Sequence, residues 1–212
     1  MRSVLVANLK GGCGKTTIAT NLAVAFAAGG RAIALADADR QRSSLAWCEL
    51  RPGHVPPVRA LNWIKQQSEV PAGIDRLVID APAAMTAGEA EELVRLADVV
   101  LVPVLPSVFD EMATRRFVAR IEEIKAIRKQ RKGLLLVANR VRLNTRAAER
   151  LEGFMRDLGH EPAGRIIERA LYGELASQGL SLFDINTRAA YETAVHWLPL
   201  LERIEAALRE PG

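Results

Sequence analysis

The chain has 212 residues, of which 49% are hydrophobic and 25% are charged, and this composition is that of a soluble globular protein. No apolar run is long enough to span a bilayer, which excludes a membrane-spanning protein. The first apolar run begins almost at Met1, so we expect no signal peptide. The length suits one domain, and we predict a single domain over residues 1–212.

The cysteines and the net charge give weaker information. Cys13 and Cys48 lie far apart and form no metal-binding spacing, which indicates a reducing cytoplasm. We interpret Cys13 as a small space-filling residue. The formal net charge of +4 comes mostly from arginine. Two explanations stay open, a genome that favours arginine codons and a phosphate-rich partner.

Apolar runs alternate with helical patterns along the whole chain, which predicts an α/β fold with a mostly parallel twisted sheet and helices on both faces. Several of the runs are almost wholly apolar, as strands buried on both faces are. The predicted strands cover residues 3–8, 32–36, 58–61, 77–80, 99–103, 134–138 and 164–167, of which 58–61 is the weakest. The predicted helices cover residues 15–28, 43–50, 88–96, 110–130, 145–158, 171–178 and 187–208.

The most informative segment is Lys-Gly-Gly-Cys-Gly-Lys-Thr-Thr at residues 10–17, between the first strand and the first helix. A glycine-rich turn in this context forms a phosphate-binding loop, because its N–H groups can turn inward and the helix N-terminus favours anions. Lys15 is expected to reach the β- and γ-phosphates, and the Thr16 hydroxyl to hold Mg²⁺. The nucleotide-binding residues predicted in this loop are Gly11, Gly12, Cys13, Gly14, Lys15, Thr16 and Thr17.

Polar side chains follow three further predicted strands. Asp37 and Asp39 come at the end of the second strand, where strand alternation predicts that both point to one side. Asp80 ends an apolar strand, as the carboxylate that holds Mg²⁺ does in a P-loop NTPase. Asn139 ends another strand, and its amide is expected to bond the adenine edge. Because ligands bind at the carboxyl ends of such strands, we expect these side chains to converge on one site.

Together these motifs resemble the ParA/MinD family of deviant Walker ATPases, over nearly the whole chain. Residues 10–17 are similar to the deviant Walker A motif, residues 37–41 to the Asp-x-Asp-Pro-Gln element, and residues 80–82 to the Walker B end. Residues 102–107 are similar to the proline-containing segment that follows the next strand. The short length is closest to the small ParA-like, or ParF-like, partition and cargo-positioning ATPases.

The resemblance implies a mechanism and a set of roles. ATP and Mg²⁺ would be bound at the interface of a homodimer, and Lys10 would reach the phosphates of the other subunit. Asp39 matches the residue that positions the attacking water, while Thr16, Asp37 and Asp80 would form the Mg²⁺ site. Intrinsic hydrolysis would be slow and stimulated by a basic segment of a ParB-like or cargo-adaptor partner.

The chain departs from the family pattern at two positions. Arg40 stands where the family usually has proline, and Ala83 replaces a second proline after the Walker B motif. Neither change removes a catalytic group, but both bear on the geometry of the loops that carry Asp39 and Asp80.

Non-specific DNA binding is a second implication of the resemblance. Arg165, Arg169 and Arg188 match the DNA-binding face of the family, and the arginines at positions 140, 142 and 146 would extend it. A solvated surface arginine is the alternative at each position. The basic run at residues 125–132 has a strong alternative explanation, since cations near a helix C-terminus complement the helix dipole.

The resemblance leaves three functions open. The favoured one is a cytoplasmic, nucleoid-associated bacterial ATPase that positions a plasmid, a chromosome region or a protein cargo. The first alternative is a nucleotide-switched module of an envelope or secretion complex. The second is a MinD-like ATPase at the membrane surface, which the C-terminal helix disfavours because its glutamates offset its arginines. We expect its apolar face to pack on the domain core.

Overall fold

The computed structural model describes residues 1–128 and 132–209. Its seven strands are β1 (Arg2–Val6), β2 (Ile33–Asp37), β3 (Arg59–Asn62), β4 (Arg76–Asp80), β5 (Val99–Val104), β6 (Gly133–Val141) and β7 (Arg165–Ile167). They form one sheet in the order β3-β2-β4-β1-β5-β6-β7, and every neighbouring pair is parallel. The predicted α/β fold with a parallel sheet is therefore confirmed.

The helices connect the strands and cover both faces of the sheet. They are α1 (Lys15–Ala28), α2 (Ser43–Leu50), α3 (Ala87–Leu96), α4 (Val108–Glu123), α5 (Lys125–Arg128), α6 (Arg146–Asp157), α7 (Leu171–Ala176), α8 (Arg188–Ala194) and α9 (Leu198–Arg209). A 3₁₀ turn, Val195–Trp197, joins α8 to α9. Within the described part of the chain, no helix has both the length and the apolar character needed to cross a bilayer.

Two apolar layers hold the helices on the sheet. Alternate side chains of β1 point to opposite faces, so that Leu5 lies in one layer and Val4 in the other. Helices α3, α4 and α6 pack in the Leu5 layer, and helices α1 and α9 pack in the Val4 layer. Strands β4 and β5 are buried along their whole length, as the apolar runs predicted.

Two long predicted helices are wrong in their extent. The helix predicted over 110–130 is divided at Ile124, which adopts an extended conformation between α4 and α5. The last two residues of that prediction, and residues 129–131 of the basic run, lie outside the described residues. The helix predicted over 187–208 is divided by the 3₁₀ turn, and Pro199 lies in the first turn of α9, where its missing N–H costs no helical hydrogen bond.

Two strand ends also differ from the prediction. Strand β6 continues to Val141 through an irregularity after Ala138, where Arg140 adopts a positive φ of 51°. Asn139 therefore lies within the strand and not at its end. Strand β2 ends at Asp37, so the alternation that predicted a common direction for Asp37 and Asp39 does not extend to Asp39.

Candidate nucleotide site

The phosphate-binding loop, residues 10–17, joins β1 to α1 at the carboxyl edge of the sheet. Gly12 and Gly14 have φ values of 76° and 90°, which side chains other than glycine rarely adopt. A Cβ at Gly14 would also lie 2.3 Å from the amide nitrogen of Asn139. Helix α1 begins without a side-chain cap, so the N–H groups of its first turn are left for an anion.

The two lysines of the loop are already in contact through the backbone. Lys15 is 6% exposed, and its ammonium donates a hydrogen bond to the Lys10 carbonyl at 3.1 Å. The N–H of Lys10 donates to the side-chain oxygen of Asn8 at 3.2 Å. Lys15 is thus held inside the turn that its own loop forms, where a phosphate group would meet it.

Asn8 is a structural part of this loop that the sequence analysis missed. Its amide nitrogen donates to the Pro103 carbonyl at 2.8 Å and to the Thr114 hydroxyl at 3.0 Å, which joins the loop to β5 and α4. A buried amide with all these partners fixes the path of the chain between β1 and the first glycine. The available signal was a polar residue directly after an apolar strand and before Lys10.

Cys13 behaves as the sequence analysis predicted. The residue is buried within the loop, and burial raises the pKa of its thiol. The neutral thiol fills space beneath the loop, and its carbonyl accepts a hydrogen bond from the Asn139 amide at 2.7 Å. Asn139 therefore supports the phosphate-binding loop directly, a role that was not predicted for it.

Asp80 is the centre of the acidic part of the site. Its Oδ2 accepts hydrogen bonds from the Thr16 hydroxyl at 2.7 Å and from the Ser44 hydroxyl at 2.6 Å. Its Oδ1 is buried and has no hydrogen-bond partner among the described residues. Burial raises the pKa of Asp80 to about 7, although both hydroxyls oppose that shift. Ser44 was not predicted as a site residue.

The residues around Asp80 fit a magnesium ion. The donors are a hydroxyl and carboxylates, which Mg²⁺ prefers, and the unpartnered Oδ1 of Asp80 is an acceptor that a metal-bound water would satisfy. Among residues 1–128 and 132–209, no group of three or more His, Cys, Asp or Glu side chains could hold a metal. A Mg²⁺ ion at Thr16 would therefore depend on phosphate oxygens and water for its remaining ligands.

Asp37 and Asp39 organise the chain between β2 and α2. The carboxylate of Asp37 accepts the N–H groups of Asp39 and Leu45, at 2.9 and 3.0 Å. The carboxylate of Asp39 accepts the N–H groups of Gln41 and Ala83, at 2.9 and 3.1 Å. Asp39 thus bridges the loops after β2 and β4. The N–H of Ala83 forms this bridge, and a proline at that position would lack the donor.

The three predicted DNA-binding arginines do not share one environment. Arg165 forms a two-fold ion pair with Glu152, and this contact lowers the pKa of the glutamate. Arg188 pairs with Glu192 at 2.7 Å, and its side chain is 92% exposed. Arg169 follows the end of β7 and donates only to the neighbouring Glu168 carbonyl within the described residues.

The supplementary arginines lie near Arg169. Arg140 and Arg142 line one surface cavity with Glu168, at the carboxyl ends of β6 and β7. Arg142 pairs with Glu168 at 2.8 Å. In the described part of the chain, no carboxylate lies within ion-pair distance of Arg140, Arg146 or Arg169. Of the three predicted DNA-binding arginines, Arg165 and Arg188 are thus ion-paired within the described residues, and Arg169 is not.

The C-terminal helix packs as predicted. Leu200, Ile204 and Leu208 of α9 are buried in the layer that also contains α1. The apolar face of this helix is therefore occupied by the core.

These features define a P-loop nucleotide-binding protein. They are a glycine-rich loop between a buried strand and a helix, a buried lysine in that loop, a hydroxyl bonded to a strand-end aspartate, and a parallel sheet. The model of the CobQ/CobB/MinD/ParA nucleotide binding domain matches residues 4–182. The chain belongs to this family, and the predicted ParA/MinD resemblance is confirmed.

A relative of similar length has a stated cellular role. The maintenance of carboxysome distribution protein A of Halothiobacillus neapolitanus is 29% identical over 199 residues, which cover 88% of each chain.

Solved structures share the fold at low sequence identity. A chain of the MinC:MinD cell division protein complex of Aquifex aeolicus superposes with a TM-score of 0.75 at 17% identity, over 97% of this chain and 96% of that chain. A plasmid partition protein of Borrelia burgdorferi B31 bound to AMPPNP gives a TM-score of 0.72 at 15% identity, over 97% and 98%. At these identities the likeness establishes the fold alone.

Proposed function

We propose that this protein is a dimerising ATPase that positions a carboxysome-like protein cargo along nucleoid DNA. The observation that carries the enzymatic part is the bond from the Thr16 hydroxyl to Asp80, beside a buried Lys15 in a glycine-rich loop. The cargo is supported by the relative from Halothiobacillus neapolitanus, whose name specifies carboxysome distribution.

The phosphate-binding loop provides the nucleotide contacts in this proposal. The N–H groups of Gly11, Gly12, Cys13, Gly14, Lys15, Thr16 and Thr17 surround the phosphates, and the Lys15 ammonium exchanges the Lys10 carbonyl for phosphate oxygens. Thr16, Asp80 and Asp37 would hold Mg²⁺, which would neutralise charge on the β- and γ-phosphates. Asn139 has a second amide hydrogen and a carbonyl oxygen beyond its bond to Cys13, and these would bond the adenine edge.

Two residues supply the hydrolytic step. Asp39 orients the attacking water, for which each oxygen of its carboxylate has a further acceptor site beyond its backbone N–H partner. Lys10 reaches the phosphates of the second subunit and stabilises the charge that develops in the transition state. The dimer therefore forms with ATP and dissociates after hydrolysis, and a basic segment of a partner protein stimulates the slow intrinsic reaction.

The DNA contact belongs to the ATP-bound dimer in this proposal. Arg169 is the strongest of the three predicted residues, because Arg165 and Arg188 are paired with glutamates. Arg140 and Arg146 extend the cationic surface. Phosphate contacts of this kind are independent of DNA sequence and weaken with salt.

The test is ATP turnover by the purified chain, with and without Mg²⁺. We expect slow turnover in the wild type, none in Lys15→Ala because nucleotide binding is lost, and none in Asp39→Ala although that variant still binds ATP. Lys125→Ala, at an exposed position of α5, is the matched control and retains wild-type turnover. Normal turnover in Asp39→Ala would disprove its water-positioning role.

Cargo positioning is tested in cells of the source organism or a carboxysome-bearing host. Fluorescently labelled shell particles would be distributed along the nucleoid with the wild-type chain and clustered with Lys15→Ala. An unchanged distribution would favour the nucleotide-switched module that acts without DNA.

A further inference from the structure

Ser44 is a buried hydroxyl whose contact the proposed mechanism does not yet use. It is the second residue of α2 and is 0% exposed. Its Oγ donates to Asp80 Oδ2 at 2.6 Å, across 36 residues of sequence. Helical serines commonly bond a carbonyl of their own helix, so this bond to another element's carboxylate reflects the tertiary site.

The bond determines which oxygen of Asp80 is free. Thr16 and Ser44 both donate to Oδ2, and Oδ1 has no partner among the described residues. Without the Ser44 hydroxyl, Thr16 would be the one remaining donor, and the carboxylate could rotate so that either of its oxygens accepts that bond. Two donors on one oxygen therefore fix the carboxylate plane and leave Oδ1 as the available acceptor.

Ser44 lies at this position because two hydrogen bonds from backbone N–H groups hold the N-terminus of α2. The N–H of Leu45 donates to Asp37 Oδ2 at 3.0 Å, and the N–H of Arg42 donates to the Asp39 carbonyl at 3.0 Å. Ser44 thus lies between the two residues that connect α2 to the predicted metal site.

We propose that Ser44 is a positioning residue of the magnesium site, which holds the Asp80 carboxylate in the orientation that Mg²⁺-nucleotide requires. The inference rests on the proposed function, since it assumes that Mg²⁺ and ATP bind at Thr16 and Asp80. Thr16 positions the same oxygen from the phosphate-binding loop, and Ser44 positions it from α2. The metal site is therefore assembled from both elements.

The experiment measures the affinity for AMPPNP in excess Mg²⁺ and in excess EDTA, by calorimetry or fluorescence competition. The quantity compared is the dissociation constant in EDTA divided by the dissociation constant in Mg²⁺. This ratio isolates the contribution of the metal to the affinity. In Ser44→Ala we expect this ratio to fall roughly tenfold, the size expected for one hydrogen bond to a charged group. Affinity in EDTA is expected to change little.

Ser43→Ala is the matched control, because Ser43 is the preceding residue of the same helix, is exposed, and makes no side-chain hydrogen bond within the described residues. It retains the wild-type ratio. A packing defect alone would lower thermal stability and leave the ratio unchanged, so an unchanged ratio in Ser44→Ala overturns the proposal.

A second variant covers loss of folding. If Ser44→Ala does not fold, Ser44→Cys keeps a similar volume with a weaker donor, and we expect a ratio below that of the wild type. A wild-type ratio in Ser44→Cys would also overturn the proposal. Failure of the wild-type chain itself to bind AMPPNP in Mg²⁺ would instead contradict the proposed function.

Discussion

Asp37 and Asp80 are direct neighbours in the sheet, paired at the ends of the parallel strands β2 and β4. Asp37 is 0% exposed and Asp80 is 1% exposed, so two carboxylates lie side by side with almost no contact with water. Backbone N–H groups satisfy Asp37, and two hydroxyls satisfy one oxygen of Asp80. Burying two like charges in this way is unfavourable without a nearby cation. A bound metal ion would therefore stabilise this pair of carboxylates.

The first prediction concerns pH and the stability of the metal-free protein. Burial raises the pKa of Asp80 to about 7, whereas an unfolded aspartate titrates near ~3.9. The folded state thus holds the proton more tightly, so the stabilisation is complete below about pH 4 and is lost as the pH rises through about 7. The full change is on the order of 4 kcal/mol.

Asp80→Asn removes this titration. In EDTA, the free energy of unfolding of Asp80→Asn relative to the wild type should increase from pH 5 to about pH 7 and level off above it. Urea unfolding at several pH values measures the difference, and Asp157→Asn, at an exposed position of α6, is the control. If the free energy of unfolding depended on pH in the same way for the wild type and Asp80→Asn, the assignment of this titration to Asp80 would be wrong.

The second prediction separates two glycines of the phosphate-binding loop. Gly12→Ala and Gly14→Ala both force alanine into a positive φ, which costs roughly 1–2 kcal/mol. Only Gly14→Ala also drives a Cβ to 2.3 Å from the Asn139 amide, whereas the space at Gly12 is open. We expect Gly14→Ala to destabilise the protein by about 1 kcal/mol more, the value of the bond from Asn139 to Cys13.

Chemical denaturation of both variants measures the difference. Adding Asn139→Ala to Gly14→Ala should cost less than Asn139→Ala costs in the wild type, because the bond is already broken. Equal stability of Gly12→Ala and Gly14→Ala would contradict the role of Asn139 as a support of the loop.

The local parts of the fold could be predicted from the sequence, and the interruptions could not. Helices α1 and α2 begin and end where the apolar pattern predicts, because each follows a turn and buries its apolar residues in the core. The break at Ile124 lies inside a continuous helical pattern, where Ile124 adopts an extended conformation three residues after the fully buried Ile121. Pattern alone does not contain that information.

The third prediction concerns the ion pair that anchors the end of α2. Arg51 and Asp184 form two bonds of 2.8 Å, and their side chains are only 5% and 0% exposed. Arg51→Met leaves Asp184 buried without its cation, which should cost about 3–5 kcal/mol. Thermal or urea unfolding measures the loss.

The exposed pair Arg188–Glu192 is the control for this effect. Arg188→Met should change the free energy of unfolding by about 0.5 kcal/mol or less, since exposed i,i+4 pairs contribute little. The double variant Arg51→Met with Asp184→Leu should recover part of the lost stability. A small cost for Arg51→Met alone would show that the pair is not the anchor that its burial indicates.

The fourth prediction ranks the candidate DNA contacts. With ATP, Arg169→Glu should weaken binding to a non-specific duplex by about tenfold and reduce the salt slope by about one unit. Arg188→Glu should have a smaller effect, because the wild-type charge is already offset by Glu192. Fluorescence anisotropy over a salt series measures both, with ATP turnover as the folding control. A larger loss in Arg188→Glu than in Arg169→Glu would reverse this ranking.

The parts of the site that belong to a contiguous sequence motif could be predicted from the sequence. The phosphate-binding loop and Asp80 lie where the motifs placed them, because strand and helix spacing determine those positions. Ser44 and Asn8 were missed because their partners are Asp80, 36 residues away, and Thr114, 106 residues away. The pairing of Arg165 with Glu152 was missed for the same reason, since α6 and β7 meet only in the folded chain.

In the proposed mechanism, ATP joins two copies of this chain through Lys10. Analytical ultracentrifugation of Asp39→Ala in Mg²⁺-ATP and in Mg²⁺-ADP tests it most directly, because this variant should not consume the nucleotide. We predict a dimer in ATP, a monomer in ADP, and a monomer in both for the Lys10→Ala, Asp39→Ala double variant. A monomer in ATP for Asp39→Ala, or a dimer that persists without Lys10, would contradict the account.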